Sequence, residues 1–246
     1  MRLREETEVK PKPMVEIGGM PILWHIMKTY ANDGFNEFVL CLGYKGEIIK
    51  EFFYNYEVLT NDFTVELGTK NIEIHPKHLE KGWKVTLVDT GKTAMTGARI
   101  KRVQKFIDSD TFMVTYGDGV TNLDIRQLLA FHQSHGKIGT VTGVFPQSRY
   151  GELMIQDDRV ISFDEKPSNH KNLISGGYFV FNRKIFDYLQ DDEDCVLERD
   201  ALARLSKDNQ LKVFRHPGFW QCMDTYRDYQ YLQDLWGKGG ALWKKW

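Results

Sequence analysis

Tyr116-Gly117-Asp118-Gly119 closes the apolar run Phe112-Met113-Val114-Thr115-Tyr116. A carboxylate at the end of an apolar strand sits where open α/β sheets present their chemistry, because ligands bind outside the carboxyl ends of the strands. The flanking glycines let the backbone turn and a ligand approach closely. One role for Asp118 is to hold a divalent cation beside phosphates. The plainer alternative is an Asp-Gly turn that ends a strand.

A second acidic residue, Asp224, lies in Gly218-Phe-Trp-Gln-Cys-Met-Asp-Thr225, just before an apolar-periodic segment. It could cap that helix or serve as a second cation ligand, since magnesium takes one or two carboxylates together with substrate phosphates and waters. Near the N-terminus, Arg2 and Val9-Lys10-Pro11-Lys12-Pro13-Met14 carry positive charge. Proline after each lysine favours extended backbone, which suits lysines reaching for phosphates or simply forming a solvated arm. Thr96 opens a helix as a candidate cap whose free N–H groups attract anions. Arg99 in the first turn opposes the helix dipole, which hints at a ligand-facing role. Glu165-Lys166 pairs a carboxylate for a sugar hydroxyl with an ammonium for a phosphate, or is a surface ion pair. Gly177 permits close backbone approach at the start of a strand.

The elements that must position these residues alternate in type. Helical spacing marks 22–32, and 38–42 is a short apolar strand. Another helix face follows through Ile48, Ile49, Phe52, Phe53 and Tyr56. Residues 63–75 read as a hairpin, 85–88 as a strand, 96–107 as a helix, 112–116 as a strand, 125–132 as a helix and 138–145 as a strand. Beyond that come a hairpin around Asp157-Asp158, strands at 178–181 and 213–214, and helices at 200–205 and 226–236. This rhythm predicts a mainly parallel sheet with helices on its faces. One domain spans 1–246, in two halves, 1–145 and 146–246.

With 246 residues, 41% hydrophobic content and a net charge of −1, the chain is an ordinary globular protein with no basic field for nucleic acid. No stretch has transmembrane length, and the charged N-terminus lacks a signal-peptide core. Three cysteines without a CxxC pair point away from disulfides and zinc and fit a reducing cytoplasm. Neither a Walker A nor a G-x-G-x-x-G pattern occurs, and the histidines lack metal-site spacing.

Taken in order, Lys10-Pro-Lys-Pro-Met14, Tyr116-Gly-Asp-Gly119, Glu165-Lys-Pro167 and Gly218-Phe-Trp-Gln-Cys-Met-Asp-Thr225 resemble the sugar-1-phosphate nucleotidyltransferases over almost the whole chain. Trp24-His25, Gly43-Tyr-Lys-Gly46, Val88-Asp-Thr-Gly91 and Met95-Thr-Gly-Ala-Arg99 add to the likeness. The resemblance is strongest to the branch that uses CTP and glucose 1-phosphate. It implies a Rossmann-like, mixed and mainly parallel α/β sheet, with 1–145 as the nucleotide-binding half and 146–246 as the sugar-binding and C-terminal half, a cytoplasmic location and assembly as a homo-oligomer. It also implies Mg²⁺ held by Asp118 and Asp224, and phosphate charge neutralised by Arg2 and Lys12. Tyr116 and Gly117 would line the substrate site with Gly177, Thr96 and Arg99 would bind nucleotide, and Glu165 and Lys166 would bind glucose and its phosphate. Thymidylyl or uridylyl transfer, and a non-catalytic paralogue, are the competing readings; a metal-dependent glycosyltransferase would need a carboxylate pair that Gly119-Val120 does not supply. Family members begin with an apolar strand and a Gly-Gly-x-Gly-Thr-Arg-Leu loop, and Met1 stands where that threonine would be. The expectation is a sheet lacking its first strand, with exposed edges, and a chain impaired in catalysis as written.

Overall fold

The computed structural model describes residues 9–77, 80, 82–146, 152–164 and 173–246. Arg2, Glu165 and Lys166 lie outside them. A short ribbon comes first, β1 (Glu16–Ile17) against β2 (Met20–Pro21), and leads into helix α1 (Ile22–Asn32). Then follow β3 (Glu37–Leu42), α2 (Gly46–Tyr54), α3 (Tyr56–Thr60), the hairpin β4 (Asp62–Glu66) and β5 (Asn71–His75), and β6 (Lys84–Asp89). Helix α4 (Thr96–Arg102), β7 (Thr111–Thr115), β8 (Gly119–Thr121), α5 (Ile125–His135) and β9 (Gly139–Val144) complete the first half. The second half supplies the hairpin β10 (Glu152–Gln156) and β11 (Arg159–Asp164), the long β12 (Ile174–Asn182), and a π-helical turn Leu197–Leu202 running into α6 (Ala203–Lys207). It ends with β13 (Leu211–His216), β14 (Trp220–Cys222) and α7 (Tyr226–Gly237).

The strands form two main blocks. β3 and β6 pair in parallel. β13, β9, β12 and β7 form a four-stranded sheet in that order. Within it β9 and β13 are parallel, and β12 alone runs against β7 and β9. This is the mixed, mainly parallel α/β architecture that the alternating pattern predicts. Among the described residues β3 and β7 each keep one unpaired edge. Their side chains are correspondingly half-buried rather than sealed, apart from the exposed Glu37 and the buried Leu42. The apolar run Phe112–Tyr116 is half-buried along its whole length.

One core lies between α1, β8, α5 and α7. It holds Val15, Ile17, Ile22, Ile26, Val120, Leu123, Ile125, Leu128, Met223 and Trp243. A second, built from Phe179, Phe181, Ile185, Leu197 and Leu205, joins α4 to the C-terminal half. Met14, Leu23, Met27, Leu42 and Ile49 form a third. Helix α1 has the bounds expected from its spacing. The helix expected over 96–107 instead ends at Arg102 and gives way to a 3₁₀ turn at Gln104–Phe106.

His25, His132, His135 and His216 have hydrogen-bond partners within the protein. His25 is fully buried, with Nε2 2.8 Å from the Ile17 carbonyl and Nδ1 accepting from Trp243 Nε1 at 3.3 Å. His216 bonds Thr121. His132 Nδ1 and His135 Nε2 both lie 2.8 Å from Thr140 Oγ1, and that single hydroxyl can donate to only one of them. Burial, and then the charge of His135, pushes His132 down to about 4, and burial pushes His25 to about 4 as well.

The sign follows directly. The unfolded imidazoles protonate near 6.5 and the folded ones resist protonation until about pH 4, so stability is complete above 6.5 and is lost as pH falls from 6.5 towards 4. Urea titrations at pH 7.5 and 5.0 should show a lower midpoint at pH 5.0. His132→Gln should flatten that dependence, with the remainder carried by His25, His135 and His216, whose pKa values burial also lowers.

Candidate active site

The site is built where the β8–β14 ribbon meets the N-terminal turn. In that antiparallel pair Gly119 stands opposite Cys222. The residues just outside it, Asp118 and Met223, are therefore neighbours, and the Met223 N–H donates to the Asp118 carbonyl at 2.8 Å. Met223 is wholly buried, which pins this end of the ribbon. Asp224 follows it, so two acidic side chains far apart in sequence emerge side by side.

Between them stands Lys12. Its Nζ donates to Asp118 Oδ2 at 2.6 Å and to Asp224 Oδ1 at 2.6 Å. Burial alone would lower the ammonium's pKa; the hydrogen bonds and charges of Asp118 and Asp224 outweigh that and hold it above the ordinary lysine value. The backbone around Lys12 is a 3₁₀ turn, Lys12–Met14, closed by Met14 N to Pro11 O at 2.8 Å and Val15 N to Lys12 O at 3.1 Å. The extended backbone expected from the prolines is thus corrected at Lys12. Burial of Met14 and Val15 in two cores folds the segment back, and a proline early in such a turn forfeits no needed hydrogen bond. Pro13 seats this turn on the Tyr116-Gly117 loop, where a side chain on Gly117 would come within 3.0 Å of the Pro13 ring.

Beside the three charges is a cleft of about 160 Å³ lined by Tyr116, Asp118, Gly176, Gly177, Trp220 and Asp224 among others. Gly177 has φ of +75°, and a Cβ there would lie 2.8 Å from the Tyr116 ring, so both its backbone and its space require glycine. The Tyr178 hydroxyl donates to the Gly119 carbonyl at 2.7 Å, and the Trp220 indole donates to the Gly176 carbonyl at 2.8 Å. Sequence reasoning passed over both; an aromatic residue with a polar tip next to a glycine loop is the available signal.

Asp224 does not cap α7. Thr225 is the cap, and Asp228 completes a capping box with it. The nearly buried Asp228 carboxylate accepts from Thr225 N at 2.9 Å and Asp224 N at 3.2 Å. This fixes the backbone that carries Asp224, whose side chain lines the cleft. The Cys222 thiol donates to Asp224 Oδ2 at 3.1 Å. Burial, then the hydrogen bond to Asp224 and the surrounding carboxylates, pushes that thiol up to about 12.

Thr96 and Arg99 stand apart from this cluster. Thr96 is the first residue of α4, not its cap, which is Met95. Its hydroxyl donates to Glu198 at 3.0 Å and accepts from Leu197 N at 2.9 Å. The Arg99 guanidinium donates to the carbonyls of Leu42 and Gly91 and to the Thr90 hydroxyl, at 2.9–3.1 Å. It ties together the loops that leave β3 and β6.

Among the described residues no group of three or more His, Cys, Asp and Glu side chains forms a metal cage. The Asp118–Asp224 pair nevertheless fits a magnesium ion that completes its shell with phosphate oxygens and water. The Lys12 ammonium supplies the structural test, since one cation already bridges both carboxylates there. Among the described residues no helix is long and apolar enough to cross a membrane.

The nucleotidyl transferase family profile matches residues 1–230. The chain belongs to the nucleotidyl transferase family. It is 50% identical, over 246 residues, to the glucose-1-phosphate cytidylyltransferase of Salmonella typhi, covering 100% of this chain and 95% of that one. It is 42% identical to a probable glucose-1-phosphate cytidylyltransferase of Bacillus subtilis, covering 100% and 95%. The crystal structure of HddC from Yersinia pseudotuberculosis shares the fold, with a TM-score of 0.64 and 24% identity over 92% of this chain and 90% of that one. The resemblance seen in the motifs, and the α/β fold it implies, are borne out.

Asp228→Ala removes the carboxylate that accepts from Asp224 N, Thr225 N and the Thr225 hydroxyl, leaving only the Thr225 half of the capping box. It should lower stability by about 1–2 kcal/mol, as measured by urea unfolding, in the range of lost helix caps.

Proposed function

We propose that the chain transfers a cytidylyl group from CTP to glucose 1-phosphate, releasing pyrophosphate and forming CDP-glucose, with Mg²⁺. The observation that carries this reading is the cation position made by Asp118 and Asp224, found in a chain half-identical throughout to a glucose-1-phosphate cytidylyltransferase. An oxygen of the sugar phosphate attacks the α-phosphorus of CTP. The bond from that phosphorus to the bridging oxygen breaks, and the electron pair leaves with pyrophosphate. The attacking oxygen is already anionic, so no general base is needed. The protein contributes alignment and charge neutralisation.

Asp118 and Asp224 would hold the metal, which when bound screens the charge of the polyphosphate. Lys12 and Arg2 neutralise the reacting and leaving phosphates. Tyr116, Gly117 and Gly177 shape the cleft so that substrate can lie against backbone. Glu165 accepts from glucose hydroxyls and Lys166 meets the sugar's phosphate. Arg99 serves the nucleotide end by holding the loops after β3 and β6, and Thr96 by tying the start of α4 to Leu197 and Glu198.

Turnover should be tested by following pyrophosphate release and CDP-glucose formation. CTP should exceed UTP and dTTP by at least about tenfold, a gap of roughly 1.4 kcal/mol in transition-state binding. Asp118→Asn and Asp224→Asn should each lower kcat/KM by about 100-fold or more, comparable to losing one preorganised electrostatic contact. Equal use of dTTP would remove the cytidylyl assignment. Full activity in Asp118→Asn would remove the metal role.

We also infer a homo-oligomer, supported by the β4–β5 hairpin. It pairs Phe63 with Ile74 and Val65 with Ile72 on one face. Phe63, Val65, Leu67 and Ile72 are all exposed. An isolated two-stranded hairpin is barely stable in water, so this apolar face calls for a covering surface. Val65→Lys together with Ile72→Lys should shift the sedimentation coefficient towards that of a 28.7 kDa monomer. An unchanged coefficient would place the interface elsewhere.

A further inference from the structure

We propose that the Lys12 ammonium is an internal counter-ion that holds the metal position in the resting protein, so that a divalent ion enters only together with the triphosphate. The inference rests on the assignment of Asp118 and Asp224 as metal ligands and concerns what occupies their shared position before substrate arrives.

Three observations carry it. First, the ammonium contacts one oxygen of each carboxylate at 2.6 Å, so it uses the same inward-facing atoms that a bridging cation needs. The other Asp224 oxygen accepts from the Cys222 thiol, which leaves that carboxylate no equivalent free face within the cluster. Second, the backbone under Lys12 is fixed by buried Met14 and by Pro13 against Gly117, while the lysine stem is a flexible four-carbon chain. The charge can therefore swing while its attachment point stays still. Third, the charges discriminate between the two states. Two carboxylates and one ammonium sum to −1. A divalent ion added beside a lysine that stays put meets a like charge at contact distance, and one that displaces the lysine leaves an ammonium without its partners. A triphosphate removes this conflict by accepting the ammonium on its own oxygens. Metal and nucleotide binding then become positively coupled, and linkage makes that coupling reciprocal.

Manganese(II), which reports on its own binding through the paramagnetic resonance signal of the free ion, tests this without turnover. In the absence of nucleotide, Lys12→Met and Lys12→Gln should each bind Mn²⁺ at least about tenfold more tightly than the wild type. Lys12→Arg, which keeps the charge, should resemble the wild type. Adding Asp118→Asn to Lys12→Met should abolish the gain. Thermal melts followed by circular dichroism identify which variants are folded, and either neutral variant alone suffices. If the neutral variants bind Mn²⁺ no better than the wild type while Asp118→Asn weakens all of them, the counter-ion role is overturned and the metal site stands. If binding is indifferent to Asp118→Asn throughout, the metal assignment itself fails and this inference goes with it.

Discussion

The contact between the Lys12 ammonium and the carboxylates of Asp118 and Asp224 joins three segments separated by 106 and 212 positions in the chain. Each segment is held by apolar packing that has nothing to do with charge. Met14 and Val15 seat the N-terminal turn, Val120 seats β8, and Met223 seats the approach to α7. The charged groups emerge together because their buried neighbours have no other place to go. Exposed ion pairs contribute little to stability on their own, and these three side chains are all partly exposed. The cluster is therefore a product of the fold rather than a cause of it, and its chemistry is available for a substrate.

The antiparallel ribbon β8–β14 is the device that converts packing into a site. A slip of one residue in its register would move Asp118 away from Met223 and turn the ribbon's side chains to the opposite face. Hydrogen bonds that lie outside the main sheet guard that register. Tyr178 bonds Gly119, Trp220 bonds Gly176, and Thr121 donates to the Phe219 carbonyl. All of these either touch or flank glycines, where the backbone would otherwise be free. Tyr178, from the second half of the chain, thus braces the loop that carries Asp118.

The capping of α7 shows how a local motif can be legible and yet misassigned. Met-Asp-Thr before a helical pattern offers two good caps, and residue type does not choose between them. Thr225 wins because Asp228 lies three residues on and can complete the reciprocal box. Asp224 is consequently released to the cleft. Arg99 is the opposite case. A cation in the first turn of a helix suggests a ligand, but the carbonyls of Leu42, 57 positions away at the end of β3, and of Gly91, in the loop after β6, claim it first.

Sequence alone determined most of the succession of helices and strands, the α/β class, the family likeness and the identity of both acidic residues, because periodicity and glycine-flanked motifs are local properties; the two- and three-residue strands of the β1–β2 and β8–β14 ribbons are too short to show a period. Helix α1 and the β4–β5 hairpin follow their patterns closely for that reason. Only the tertiary structure decided that Lys12 sits in a turn between the two carboxylates, that Thr96 and Arg99 face the protein, that β7 is half-buried, and that Thr140 is shared by two histidines. Each of these depends on which distant atoms fill the space around a residue. Close packing settles that question after the elements have formed, and no spacing along the chain encodes it.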